Sequence, residues 1–240
     1  MADALNARFA NGRASNELAD AGVMVHEFDT TEDHDRPWLP CPEHGYNNWC
    51  HRFSDRWATS ILNPQQHVTY FAWGGASSPR TGVGGVVLSP RTTEVFCAYP
   101  VDGNSMSEQK VCTPLGGDGR CIPVCYPRGQ QCQEVGHTWT CSYPPSMLKE
   151  ALEAQLSRAD YVAKNNEIVV DTRSITSSLP GSIEAFFLVP NSFGEERARV
   201  VDAWRAFRRI YGLVDESTIP PLLLFDVRRP GQPFSVVELE

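Results

Sequence analysis

Apolar residues along the chain fall into short runs, separated by polar stretches rich in Gly and Pro, and two periods alternate. Gly22-Val-Met-Val-His-Glu-Phe28 reads as a strand with Val23 and Val25 on one face and Met24 and Phe28 on the other. A strand apolar on both faces is covered on both sides. Strands are also predicted at His67–Trp73, Glu167–Asp171, Ile183–Val189 and Leu222–Val227, with an edge strand from Phe234 to Leu239. Gly84–Leu88 and Glu94–Tyr99, joined across Ser-Pro-Arg-Thr, read as a hairpin. Helical spacing shows elsewhere. Leu5 and Phe9 suggest a short N-terminal helix, and Phe53, Trp57 and Ile61 predict one from about Cys50 to Leu62. Leu148, Leu152 and Leu156 form the buried stripe of a helix after Pro144-Pro145, with Ser146 as its N-cap. Val200, Trp204, Phe207 and Tyr211 mark a helix over Glu195–Tyr211, with Gly212 in the position of a C′ glycine.

Strand–helix alternation predicts an α/β (or α+β) fold, a mixed β-sheet flanked by helices. The helix between the first two strands would be short, which leaves antiparallel pairing open there. With 240 residues, 41% hydrophobic and 21% charged, the chain is long enough for one globular domain over 1–240. Within it, residues 100–143 carry no core signal of their own and read as a Gly/Pro/Cys-rich insertion.

Charge narrows the partners. The formal net charge is −8, the wrong sign for a general nucleic-acid binder, which must neutralise phosphates. No apolar run is long enough for a membrane-spanning helix, so an integral membrane protein is not expected.

The 8 cysteines are Cys41, Cys50, Cys97, Cys112, Cys121, Cys125, Cys132 and Cys141, five of them between 112 and 141. A segment poor in aliphatic residues cannot hold itself by burial, and cross-links are the usual remedy. Disulfides are the favoured reading, and eight cysteines allow about 105 connectivities. Disulfides imply an extracellular or lumenal location. Met1-Ala-Asp-Ala-Leu-Asn6 is followed by no apolar stretch of a signal peptide. An oxidising location therefore implies a trimmed leader; the alternative is a cytosolic protein with free or metal-bound thiols.

Several phrases carry a resemblance: Phe9-Ala-Asn-Gly-Arg-Ala-Ser-Asn-Glu-Leu18 with Ala21-Gly-Val-Met-Val-His26, Cys97-Ala-Tyr-Pro-Val-Asp-Gly-Asn104, Trp139-Thr-Cys-Ser-Tyr-Pro-Pro-Ser-Met-Leu-Lys149, and Asn166-Glu-Ile-Val-Val-Asp171 with Leu179-Pro-Gly-Ser-Ile-Glu-Ala-Phe-Phe187. Together they resemble cysteine-containing proteins of unassigned function from microalgae, notably dinoflagellates. The resemblance runs over most of the chain. It implies an algal source and a disulfide-bearing module, and it assigns no active-site residue.

Candidate chemistry follows from clusters. His26, Asp29 and His34 lie in the densest polar stretch, and carboxylate with imidazole suits a divalent metal. The competing reading makes His26 a core histidine and the acids a solvated loop. Cys41, His44, Cys50 and His51 offer a zinc tetrahedron, although neighbouring Cys50 and His51 diverge and a disulfide fits better. Gly103-Asn-Ser105-Met-Ser107 imitates a nucleophile elbow without the strand and helix it needs. Asn166-Glu167 precedes its strand, so it does not match a glycosidase acid/base. Asp171 with Arg173, and Asp226 with Arg228, end hydrophobic runs. If their strands run parallel, they could share one crevice, where ligands of α/β sheets gather; otherwise each Asp caps its own turn. Trp38 and Trp49, in polar loops, suit stacking on sugar rings or packing on disulfides. Arg197, Arg199, Arg205, Arg208 and Arg209 give one helix a basic face, in most cases solvated.

The leading expectation is a disulfide-stabilised extracytoplasmic binding or structural module with no cofactor, whose ligand is a glycan or a protein. The alternative is a metal-dependent hydrolase built on His26, Asp29 and His34.

Overall fold

The computed structural model describes residues 1–27, 56–66, 84–99, 131–135, 138–156, 166–190 and 195–239. In chain order these form α1 (Ala2–Asn11), α2 (Leu18–Ala21), β1 (Val23–Glu27), β2 (Arg56–Leu62), β3 (Gly84–Leu88), β4 (Val95–Tyr99), β5 (Gln131–Val135) and β6 (Thr138–Ser142). A 3-10 turn (Pro145–Met147) then leads into α3 (Leu148–Leu156), β7 (Glu167–Asp171), α4 (Thr172–Thr176), β8 (Ile183–Leu188), α5 (Glu195–Ile210), β9 (Leu222–Phe225) and β10 (Phe234–Val236).

Eight strands make one mixed sheet in the order β10-β9-β8-β3-β1-β2-β7-β4, and β5 with β6 forms a separate pair. Within the large sheet only β8 and β9 run parallel, joined through α5. The other pairings are antiparallel. The fold is α/β in composition with a largely antiparallel sheet.

Alternation along each strand feeds two cores. Val23 and Val25 pack with Leu5 and Phe9 of α1, with Val87 and Phe187, and with Phe225 and Phe234. Met24, Val86, Phe186 and Leu222 face the opposite way, against Leu148 and Leu152 of α3, Ile175 of α4 and Val200 and Phe207 of α5. The sheet is therefore covered on both sides, as the apolar faces of β1 require. Two glycines admit the close strand contacts. Gly84 (φ +148°) lies so near β8 that a Cβ would fall 2.1 Å from the Phe187 carbonyl oxygen. Gly22 (φ +136°) would place one 2.3 Å from the Leu62 oxygen. No L side chain fits either site without moving backbone.

Side-chain amides complete the ladders. Asn166 Nδ2 donates to the Ile61 carbonyl (3.0 Å) and its Oδ1 accepts from the Ile61 N–H (2.7 Å), adding a rung where the β2–β7 register stops. Asn6 of α1 makes the same two-way clamp on Phe234 (2.9 and 2.8 Å). Asn63, Gln66 and Gln155 form a buried chain that ties the end of β2 to Ala21 and to Leu152 of α3. Buried amides are tolerated because their donors and acceptors find partners.

Several expectations need correction. The helix from Cys50 to Leu62 is not formed at its C-terminal end: Arg56–Leu62 is β2. Thr59, Ser60, Ile61 and Leu62 are all buried, so spacing at every fourth residue had no exposed helical face to serve, and the β-branched Thr59 and Ile61 suit a strand. The hairpin over 84–99 is not made either. β3 and β4 form as strands, but β1, β2 and β7 lie between them. Ser146 is no N-cap, because a 3-10 turn with no side-chain cap precedes α3. Leu156, at the last position of α3, is exposed. The insertion contains a structured piece, the β5–β6 pair. The remaining predicted strands, the N-terminal helix and α5 form close to their predicted bounds, and Gly212 ends α5 with φ +60°. His67–Trp73 lies outside the described residues.

Candidate functional site

The Asp-x-Arg pairs are built from short-range geometry. β7 ends at Asp171, which caps α4: Oδ1 accepts the Arg173 backbone N–H at 2.8 Å. The Arg173 guanidinium then folds back to Oδ1 and Oδ2, both at 3.2 Å. After β9, Asp226 repeats the arrangement. Its Oδ1 accepts from the Arg228 backbone N–H (3.0 Å) and Nε (2.8 Å), and Oδ2 accepts from Nη2 (3.1 Å). Each carboxylate is nearly buried, while the arginine side chains are 68% and 70% exposed. The hydrogen bond from Arg228, ahead of the other influences, holds the Asp226 carboxyl below the usual aspartate value, and the same bond raises the Arg228 guanidinium. Such a carboxylate stays ionised and orients a guanidinium; it is poorly suited to donate a proton.

The two pairs do not share one crevice. β7 and β9 point the same way, so both pairs sit at one end of the sheet. However, β8, β3, β1 and β2 lie between them, which at about 4.8 Å per strand separates them by about 24 Å. Each Asp serves its own turn.

Half-buried His26 stands in β1 on the Met24 face, with Val86 as its Cα partner. Asp29 and His34 lie outside the described residues, as do Trp38, Trp49, Cys41, Cys50, Cys112, Cys121 and Cys125. Among the described residues no three His, Cys, Asp or Glu side chains gather in metal-binding geometry. Residues 103–107 of the elbow-like phrase are likewise outside.

On α5, Arg208 lies over the Trp204 ring at 4.7 Å from its centroid, and the indole N–H donates to the Pro220 carbonyl at 2.7 Å. Arg205 pairs with Asp202 at 3.5 Å, and Arg197 and Arg209 are exposed. This is a solvated basic face with one stacked pair.

Two contacts are set by the tertiary fold. Glu167 does not precede its strand but is its first residue, buried opposite buried Tyr99 of β4. Arg8 of α1 bonds Glu184 of β8 through both carboxylate oxygens. Both depend on strand register, and no local motif carries them. Compared with protein-family models, with curated proteins and with solved structures, the chain has no match.

Proposed function

We propose that this chain is a disulfide-stabilised binding module of an oxidising, extracytoplasmic compartment, with a glycan or a protein as its ligand. The observation that carries the reading is Cys97. It is 1% exposed within β4 and disulfide-bonded, and structural disulfides persist where thiols are not kept reduced. The two Asp-anchored arginines at one end of the sheet favour recognition over proton transfer, since each guanidinium is exposed yet held in orientation. Trp38 and Trp49 are the candidate stacking residues for a sugar.

Intact mass under native, non-reducing conditions tests the frame. The expected loss is one hydrogen per cysteine relative to the reduced chain, and a fully reduced native protein overturns the compartment. Tryptophan fluorescence titrated with neutral and acidic oligosaccharides tests the ligand. The expected result is saturable quenching, weakened by Arg228→Ala and by Trp38→Ala or Trp49→Ala. A flat response to every sugar rejects the glycan.

A further inference from the structure

We propose that Cys132 and Cys141 form a cross-strand disulfide that staples the β5–β6 hairpin; the pairing rests on the oxidising compartment proposed above. In the β5–β6 register Cys132 is the Cα partner of Cys141, and Val135 is the partner of Thr138. Only residues 136 and 137 intervene between that last pair. A two-residue connection can close an antiparallel ladder only if the flanking residues exchange both backbone hydrogen bonds, because the other pattern would bond adjacent residues. Val135/Thr138 is therefore a hydrogen-bonded pair. Antiparallel ladders alternate, so Glu134/Trp139 is non-hydrogen-bonded, Gln133/Thr140 hydrogen-bonded, and Cys132/Cys141 non-hydrogen-bonded. At such pairs the Cα atoms approach to about 4.5 Å, within the span of about 4.4–6.8 Å that a disulfide bridges.

The same register removes the competitor within reach. β6 leads to Tyr143, which exchanges both backbone hydrogen bonds with Ala98 (2.9 and 2.8 Å). In this antiparallel bridge Cys97 lies one residue to one side of the Ala98–Tyr143 pair and Cys141 two residues to the other. That is roughly 10 Å along the strand, too far for a disulfide, and Cys132 lies one strand further out. Cys97 accordingly pairs outside this hairpin, with Cys41, Cys50, Cys112, Cys121 or Cys125. Fixing one bridge cuts the connectivities from about 105 to about 15.

Formation is an oxidation. The two thiols lose two protons and two electrons as the S–S bond forms. The disulfide of a thiol–disulfide oxidoreductase accepts them and becomes a dithiol.

Tryptic mapping of the intact, non-reduced, alkylated protein tests the pairing directly, because Gly129–Lys149 contains Cys132, Cys141 and no other cysteine. The expected peptide is unalkylated, not joined to another, and two hydrogens lighter than its reduced form. In Cys132→Ser, alkylation before reduction is expected at Cys141 and at no other cysteine. Gly129–Lys149 joined to another peptide, or alkylation of Cys132→Ser elsewhere, overturns the pairing and leaves the oxidising compartment standing. Alkylation of every cysteine in the native protein overturns both.

Discussion

The two edges of the eight-stranded sheet are closed in different ways. At the β10 edge the strand has three residues, and helix α1 covers it. In the β9–β10 ladder, Pro233 and Val237 bond to β9, which leaves the Phe234 N–H and carbonyl facing outward. Asn6 takes both. Phe9, Phe225 and Phe234 pack beneath as a cluster with centroid separations of 6.0, 6.5 and 4.7 Å. Among the described residues the β4 edge is closed by a two-way bridge from Ala98 to Tyr143, next to buried Cys97. An unpaired strand edge invites association with another chain. One edge is blunted by apolar packing and a side-chain amide, the other by a borrowed rung beside Cys97. The proposed Cys97 disulfide would make the second edge sensitive to redox state, whereas the first rests on packing.

Loss of packing at the β10 edge should have the largest effect. Phe234→Ala removes a buried ring from the aromatic cluster, and we expect a loss of about 3–5 kcal/mol, read as a lower urea midpoint in oxidising and reducing buffer alike. At the β4 edge, Cys97→Ser should cost about 2–4 kcal/mol in oxidising buffer. That difference should shrink sharply once wild type is reduced. If Cys97→Ser costs as much in reducing as in oxidising buffer, the Cys97 side chain acts at this edge by packing alone and the contrast between the edges disappears.

Asn6→Ala is gentler. It strands a buried N–H and a buried carbonyl, for about 2 kcal/mol, and amide exchange should accelerate at Phe234 while Ala98 keeps its protection. The smallest effect concerns Asp226, whose turn feeds β10. Its folded carboxyl titrates below the unfolded value, so its contribution is fully present above about pH 4 and is lost as pH falls through the folded value. Urea midpoints of wild type and Asp226→Asn should differ at pH 7, and the difference should narrow progressively as pH falls below about 4. A gap that stays constant as pH falls would show that the ion pair with Arg228 is not its source.

Much of the sheet was legible from local pattern. In β1, Val23 and Val25 on one face and Met24 on the other announce a doubly covered strand, and the two cores receive them in that way. Val200 and Phe207 define the buried side of α5. The misreading of Arg56–Leu62 has a physical cause: where both sides of an element are buried, apolar spacing cannot separate a strand from a helix. Each Asp-x-Arg pair was legible as a cap, because its partners lie two residues apart. Whether the pairs met was not.

The sequence by itself determined the apolar faces of β1, the span of α5 and the caps at Asp171 and Asp226, since each rests on residues a few positions apart. Only the tertiary structure decided that β3 and β4 have three strands between them, that Asp171 and Asp226 stand at opposite parts of one sheet end, and that Asn6 closes a strand 228 residues later. It also set Cys132 opposite Cys141. Strand order and register are long-range choices, set by which faces can be buried together, and periodicity within a strand is the same whichever neighbour it takes.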